Sequence, residues 1–255
     1  MSNATLIEAL DLPACSRVDQ RVPKRLLLEN GAPTAADKRV INEGIEELLW
    51  LAALKPTTIG VPEYRDDVRE YLEIAVLRLT LRAAAKAKRL VELVHRAVPY
   101  PLLLLTEQAD HDAPPGLSAA HKRRSQGEAA KTVLDGDLVS AEWDGERDGE
   151  RWPAVCDALA LGKQPRTTLH ALYQGWIDTL LALQAARVTG AFAVAVNAEH
   201  AAVRRDALQE CARLDAEIAR LRATAAKEKQ MSRRVELNLE LKRVEAAQAT
   251  ARANL

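Results

Sequence analysis

The last third of the chain, residues 167–255, contains no proline, and this feature constrains the fold more than any other. Because proline breaks helices, a stretch of this length without proline can form long helices. Leu214, Ile218, Leu221 and Ala225 follow one another at intervals of four, three and four residues. That spacing is typical of the buried face of a coiled-coil helix. We therefore predict that residues 167–255 form a helical, coiled-coil-like arm.

The arm divides into helices at two points. Gly190 is predicted to end a first helix, and a longer helix is predicted to begin at about Asn197. The apolar pattern breaks at Lys227–Gln230 and resumes at Val235. Such a break indicates either a stutter in one helix or a hairpin between two antiparallel helices. We expect the arm to associate with itself or with another protein, which makes the chain a homo- or hetero-oligomer.

Residues 1–143 have a different sequence pattern, in which helical and strand-like segments are mixed. A long helix is predicted over residues 34–55, with Thr34 as its N-cap and Lys55–Pro56 as its end. An amphipathic helix is predicted over "AAAKAKRLVELVHRAVP". Strands are predicted over the segments "TTIGV", "YLEIAVLRLTL", "YPLLLLTEQ", "LSAAHKRRSQ" and "KTVLDGDLVSAEW".

This order of segments predicts an α+β fold in which helices pack on a mixed sheet. Residues 144–166 include "DGERDGERWP", whose Asp-Gly pairs are turn signals. We therefore predict three parts: an α+β domain over residues 1–143, a loop-rich linker over residues 144–166 and the helical arm over residues 167–255.

The composition excludes some functions and locations. The chain carries 36 basic and 36 acidic side chains, so its net charge is zero and only a local patch could bind nucleic acid. The first residues lack the pattern of a signal peptide, and apolar runs such as Pro101–Leu105 are far shorter than the roughly 20 residues of a membrane span. Three cysteines form no CxxC pair. We expect a cytoplasmic protein with reduced thiols and no membrane contact.

The sequence lacks the short motifs of several enzyme classes. It has no GxSxG nucleophile motif, and its 11 glycines form neither a GxxxxGK phosphate loop nor a GxGxxG dinucleotide motif. None of the five histidines lies three or four residues from another histidine or a cysteine, as in common zinc sites, and His111 stands in a proline-rich turn. We predict no metal site, no cofactor and no ATP hydrolysis by this chain.

A metal-dependent nuclease of the restriction-endonuclease type is the enzymatic alternative, since its core also mixes helices and strands in this order. Such a site holds Mg²⁺ between carboxylates, beside a lysine that helps to activate water. Ala75 stands where that lysine would follow Glu73, and Glu73 is expected instead at a strand end or paired with Arg78. The candidate carboxylates are Glu47 on the long helix, Asp66, Asp67 and Glu73.

Residues His121–Ser125, with the sequence HKRRS, form the sharpest local cluster of positive charge. On a strand, Lys122 and Arg124 would share one face and Arg123 would point to the other. The cluster fits either a phosphate-contacting edge or a basic edge that prevents strand-to-strand aggregation, and the second explanation is favoured. The candidate nucleic-acid-binding residues are Lys24, Arg25, Lys122, Arg123, Arg124 and Lys131.

The segment "EKQMSRRVELNLELKRV", residues 228–244, alternates the sign of its charges at helical distances. This pattern is typical of a solvated coiled-coil face, and it also offers amide and guanidinium donors to a partner. Asn238 would fix the helix register if it lay between two apolar layers. Pairing with protein is favoured over nucleic-acid binding through the arginines. The candidate partner-binding residues are Gln230, Arg233, Arg234, Asn238, Leu214, Ile218 and Leu221.

Six stretches occur in an order and spacing that match one protein family. They are "RVPKRLLLENG", "ADKRVINEGIEELLWLAALKPTTIGV", "YLEIAVLRLTL", "VPYPLLLLTEQ", "SAAHKRR" and "KEKQMSRRVELNLELK". With these stretches the chain resembles the domain of unknown function 4391 family of uncharacterised bacterial proteins. The resemblance implies an α+β front and a helical tail. It also implies a setting, because members are often encoded beside DNA methyltransferases and helicases in bacterial defence loci.

These inferences predict a non-catalytic adaptor or accessory subunit of a bacterial antiphage defence or DNA-modification assembly. The arm would bind partner proteins, among them a helicase or methyltransferase of the same locus, and the basic edge would contact DNA. The alternatives are a divergent metal-dependent nuclease and a stand-alone homodimeric scaffold.

Overall fold

The computed structural model describes residues 3–83, 85–110, 113–128, 131–144 and 148–255. The chain divides into two compact units, Met1–Leu180 and Leu181–Leu255. The helices are α1 (Asn3–Ala9), α2 (Lys24–Asn30), α3 (Ala35–Gly44), α4 (Pro56–Ile59), α5 (Ala87–Ala97), α6 (Trp152–Leu159), α7 (Leu169–Thr189), α8 (Ala198–Lys227) and α9 (Met231–Arg252). The strands are β1 (Arg17–Arg21), β2 (Ile45–Leu54), β3 (Tyr64–Arg65), β4 (Glu70–Tyr71), β5 (Ile74–Leu81), β6 (Leu102–Gln108), β7 (Gly116–Arg124) and β8 (Thr132–Glu142).

Six strands form one mixed sheet in the order β1-β2-β5-β6-β7-β8, and β3 pairs with β4 in a separate ribbon. β5 and β6 run parallel, whereas the other neighbours in the sheet run antiparallel. A parallel pair needs a crossover connection, and α5 forms that crossover between β5 and β6. The predicted α+β class, with helices packed on a mixed sheet and long helices at the C-terminus, is confirmed.

The core of the first unit lies where α2, α3 and α5 cover one face of the sheet. Leu27, Ile41, Leu90 and Leu104 belong to this cluster and are almost completely buried. Burial of each such side chain stabilises the fold by about 1.5–3 kcal/mol. The four leucines Leu102–Leu105 of β6 are all fully buried, so this strand is covered on both faces, as its continuous apolar sequence predicts.

The helix predicted over residues 34–55 is present only in its first half. α3 begins after Thr34, whose hydroxyl accepts a hydrogen bond from the amide of Asp37 at 3.1 Å, and it ends at Gly44. The second half is the strand β2, which pairs with β1 on one side and β5 on the other. Its apolar side chains also fit a helical spacing, but two ladders of backbone hydrogen bonds outweigh helix propensity at this position.

Two further differences from the predicted elements lie on either side of β2. The segment "TTIGV" was predicted as a strand, but it contributes to the single helical turn α4, which starts at Pro56 and ends before Gly60. Pro56 lacks only an amide that the first turn leaves unpaired, and Gly60 has a φ of 65°, which favours glycine. The edge strand β1 was not predicted. The predicted strands at β5, β6, β7 and β8 and the predicted helix at α5 are present.

Residues 144–166 were predicted to be a loop-rich linker, whereas this segment contains α6 and belongs to the first compact unit. The rings of Trp143 and Trp152 lie 4.3 Å apart between centroids, and Val155 is buried. The indole nitrogen of Trp176 donates a hydrogen bond to the carbonyl of Leu159 at 2.9 Å. Apolar and aromatic residues among the turn signals therefore anchor this segment in the fold.

The second unit contains α8 and α9, which run antiparallel as a helical hairpin. The break in the apolar pattern at Lys227–Gln230 is therefore the turn of a hairpin. An ion pair of 2.8 Å joins Arg222 to Glu245, and at the open end Arg204 donates to the carbonyl of Leu255 at 3.3 Å. No helix in the described ranges is both long and apolar enough to span a lipid bilayer.

The predicted apolar row of the arm forms the buried face of α8. Leu214, Ile218 and Leu221 are 2%, 6% and 3% exposed. Leu214 packs in a cluster with Cys211 and Ala251, so part of its partner surface is α9 of the same chain. These three residues, which the sequence predicts to bind a partner, are therefore buried in this chain, and α9 of the same chain covers part of their face.

Candidate functional site

Helix α9 carries apolar side chains on two opposite faces. One row, which includes Leu241, Val244 and Ala251, is partly or fully buried, and Val244 and Ala251 pack against α8. The other row is Met231, Val235 and Leu239, which are 64%, 50% and 56% exposed. With 3.6 residues per turn, residues four apart stay on one face, while Val235 and Leu239 lie half a turn from Leu237 and Leu241. We call Met231, Val235 and Leu239 the outer row.

The outer row is a reason to expect a binding partner. Scattered apolar residues are ordinary on protein surfaces, but three large ones in line on a helix form a continuous apolar stripe. The hairpin already has its own buried face, so this stripe is not needed to hold α9 against α8. Covering the exposed half of one such side chain would contribute about 1 kcal/mol to association.

Of the polar residues predicted to bind a partner, Arg234 and Asn238 lie beside this row, Gln230 precedes the helix, and Arg233 lies half a turn from Met231 and Val235. Arg233 is 3.8 Å from Glu236, and Arg234 contacts the sulfur of Met231 at 3.2 Å. Gln230, Arg233, Arg234 and Asn238 are all exposed. Asn238 therefore does not lie between apolar layers, and the register-fixing role considered for it is not present in this hairpin.

Four of the predicted nucleic-acid-binding residues are paired with carboxylates. Arg25 is 2.6 Å from Glu29, Lys131 is 2.9 Å from Glu128 and Arg124 is 3.6 Å from Glu70. Arg123 is 3.8 Å from Asp135, which also binds Arg69. Acidic partners reduce the positive potential that a phosphate would meet, so this arrangement gives no strong basic patch.

The other two, Lys24 and Lys122, bind the carbonyl ends of helices. Lys122 is 3% exposed, and its ammonium donates to the carbonyls of His95, at 2.6 Å, and Val98 at the end of α5. Burial lowers the pKa of Lys122 to about 7. Lys24 donates to the carbonyl of Ile45 just after α3, and burial lowers its pKa. The expectation that Lys122 faces phosphate beside Arg124 is wrong, because its charge stabilises a helix terminus inside the fold.

The carboxylates considered for a nuclease have separate partners. Glu73 is 3.1 Å from Lys55, not beside Arg78, and Glu47, which lies on β2 and not on a helix, is 2.5 Å from Arg21. Asp66 accepts hydrogen bonds from the amides of Val68 and Arg69 and from the hydroxyl of Tyr64, and Asp67 is exposed. Within the described part of the chain, no group of three His, Cys, Asp or Glu residues could hold a metal ion. His111 lies outside the described residues.

A cluster of histidines and tyrosines was not predicted from the sequence. The rings of His121 on β7 and His170 on α7 stack with centroids 4.9 Å apart. The hydroxyl of Tyr71 is 2.5 Å from Nδ1 of His121, and Nε2 of His121 is 2.7 Å from the amide oxygen of Gln174. Gln174 is oriented by its own donation to Asp178 at 2.8 Å. Because the amide oxygen of Gln174 can only accept, Nε2 of His121 donates to it, and in the neutral ring Nδ1 accepts from the hydroxyl of Tyr71.

Burial controls the charge of this cluster. It lowers the pKa of His121 to about 4, although the hydrogen bond to Gln174 opposes the effect. Burial also lowers the pKa of His170, and nearby Arg69 lowers it further. Both nitrogens of His121 are already hydrogen-bonded, so this side chain links β4, β7 and α7. His121 and His170 are far apart in sequence, and no local spacing signals that they meet.

The fold and the outer row define a class: an α+β protein with a C-terminal helical hairpin whose second helix exposes an apolar row. The model of the family described as "Domain of unknown function (DUF4391)" matches residues 10–247, which is most of the chain. The chain therefore belongs to that family. No curated protein and no solved structure matches it.

Proposed function

We propose that this protein is a non-catalytic adaptor or accessory subunit that binds partner proteins through its helical hairpin. The setting that we propose is a bacterial antiphage defence or DNA-modification assembly, with a DNA methyltransferase or helicase of the same locus as a partner. The setting comes from the family resemblance, in which such genes are neighbours. The binding role comes from the hairpin.

The outer row of α9 is the observation that carries the proposal. Met231, Val235 and Leu239 remain about half exposed or more, although the hairpin is closed on its other side. If a partner covered the row, the three side chains together would contribute about 3 kcal/mol, which corresponds to a factor of about 100 in the dissociation constant. Charged residues around the row would select the partner.

The contacts around the other candidate residues favour this function over nucleic-acid binding or hydrolysis. Arg124 and Lys131 of the basic edge each have a carboxylate neighbour, and Lys122 is buried. Glu73 pairs with Lys55, and Asp66 is capped by backbone amides. These groups are occupied in maintaining the fold, whereas the outer row is not.

Co-purification tests the proposal. A tagged full-length chain is expressed with the methyltransferase and helicase genes of its locus, and the proteins that it retains are identified by mass spectrometry. Replacement of Val235 and Leu239 by Glu keeps helix propensity but places charges in the row. We expect the double variant to lose the retained partner by about 30-fold in apparent affinity.

The matched control is Val203→Glu, which introduces the same charge at a valine that is 48% exposed on α8. Circular dichroism confirms that each variant keeps its helices. Retention by the wild type and the control, with loss in the double variant, supports the proposal. Equal retention by all three chains, or retention of neither locus protein by the wild type, contradicts it.

A further inference from the structure

The side chains on the exposed face of α9 become smaller along the helix. Its first half carries the large side chains of the outer row, Met231, Val235 and Leu239. Beyond them the same face continues, at helical spacing, through Lys242, Ala246 and Ala249, which are all exposed. A partner that fits this face closely is therefore bulky opposite the alanines and small opposite Met231. A second α9 in the opposite direction has that shape.

Charges on the flank of the same face favour the same arrangement. Glu236 and Arg243 lie on one side of the outer row, one to either side of Leu239 along the helix. Both are exposed. In an antiparallel pair of helices related by a two-fold axis, like flanks face each other, so Glu236 of each copy can face Arg243 of the other. The axis then passes close to Leu239.

This register also pairs the apolar residues. Leu239 lies against its own copy, Val235 lies between Lys242 and Ala246 of the second copy, and Met231 lies between Ala246 and Ala249 of the second copy. Large side chains thus enter spaces left by small ones, as close packing requires. A parallel pair would place Met231 against Met231 and leave gaps between the alanines. The overlapping segment is about 27 Å long at 1.5 Å per residue.

We infer that a second copy of this chain occupies the outer row, in an antiparallel α9–α9 contact centred on Leu239 and closed by two Glu236–Arg243 ion pairs. The inference rests on the proposed function and deepens it: the outer row pairs two copies of the adaptor, and the locus protein is retained by this pair, so disruption of the row loses both. The adaptor then presents two α+β units to its assembly. A contact between two single helices is small, so the dimer dissociates in the micromolar range.

Sedimentation of the purified full-length chain over a micromolar concentration series tests the inference. We expect a monomer–dimer equilibrium for the wild type. Arg243→Glu or Glu236→Arg alone replaces both ion pairs with like charges and weakens the dimer by about 10-fold. The double variant restores the pairs and returns the dissociation constant to within about threefold of the wild type.

The matched control is Arg220→Glu on α8, which makes the same change of charge at an exposed arginine away from the contact. A wild type that stays monomeric throughout overturns the inference. So does an equal weakening by the control and by Arg243→Glu, or a double variant that is weaker than both single variants. Failure of this kind leaves the proposed function intact if the locus partner is still lost with Val235→Glu/Leu239→Glu.

Cysteine cross-linking tests the direction of the two helices. In a Cys15→Ser background, which removes the exposed native thiol, Leu239→Cys should form an intermolecular disulfide under mild oxidation. Met231→Cys should not, because its two copies would lie about 25 Å apart along the axis, far beyond disulfide reach. Efficient cross-linking through residue 231 and not through residue 239 would overturn the antiparallel arrangement.

Discussion

Replacement of His121 by Gln should flatten the dependence of stability on pH. Folding holds His121 neutral, because burial lowers its pKa from 6.5 to about 4. The Gln amide can still donate to Gln174 and accept from Tyr71, as the imidazole does. The variant therefore loses the titration while keeping the two hydrogen bonds, at the expense of the stacking with His170.

The size and sign of the effect follow from the two pKa values. Below pH 6.5 the unfolded chain binds a proton at this site that the folded chain refuses until about pH 4. The stabilisation is therefore complete above pH 6.5 and is lost as the pH falls towards 4. At 1.36 kcal/mol per pH unit, it amounts to about 3 kcal/mol at most.

Urea unfolding, followed by tryptophan fluorescence, measures this effect in the first unit alone, because Trp50, Trp143, Trp152 and Trp176 all lie within Met1–Leu180. Between about pH 8 and pH 4.5, the wild type should lose about 2 kcal/mol more than the variant. If His121→Gln kept the full slope of the wild type, the cluster would not be held neutral by burial.

Three further outcomes are expected. Leu214→Ala should destabilise the hairpin by about 2–4 kcal/mol, because it leaves a cavity beside Cys211. Circular dichroism should show the loss of helicity at a lower temperature, and an unchanged melting midpoint would place Leu214 outside the core. Gel shifts with duplex DNA at low salt should show only weak binding, and Arg124→Ala should leave it unchanged, because Arg124 already faces Glu70. A DNA affinity that depends steeply on salt, with a dependence that this variant reduces, would contradict the structure. Glu73→Gln should lower the free energy of unfolding by about 1 kcal/mol, because it removes the ion pair with Lys55. It should leave the behaviour of the protein towards DNA with Mg²⁺ or Mn²⁺ unchanged, and metal-dependent cleavage that this variant abolishes would establish the nuclease alternative.

The elements that the sequence predicts well are those whose periodicity has one explanation. The continuous leucines of β6 fit only a buried segment, and the four-three-four spacing in α8 fits only a helix face. β2 is ambiguous, because its apolar residues suit a helix and a strand alike, and only pairing with β1 and β5 decides between them. That pairing is a long-range property, which local pattern does not contain.

In the candidate site, too, some features follow from the local sequence and others depend on long-range packing. Charge alternation in α9 predicts an exposed surface, and its outer row is exposed. Whether Lys122 meets solvent or a helix end depends on the packing of α5 against the sheet, so charge alone suggested a phosphate ligand. The contact between His121 and His170 arises from the approach of α7 to β7, and the sequence around either residue does not predict it.

Site-specific photo-cross-linking in cells shows whether the outer row binds protein. A photoreactive amino acid replaces Leu239 of the outer row, and in a matched chain it replaces Val203, which is about equally exposed on α8. We expect a discrete cross-linked product from residue 239, containing either a second copy of the chain or a protein of the same locus, and none from residue 203. Identical patterns from the two positions would contradict a protein-binding outer row.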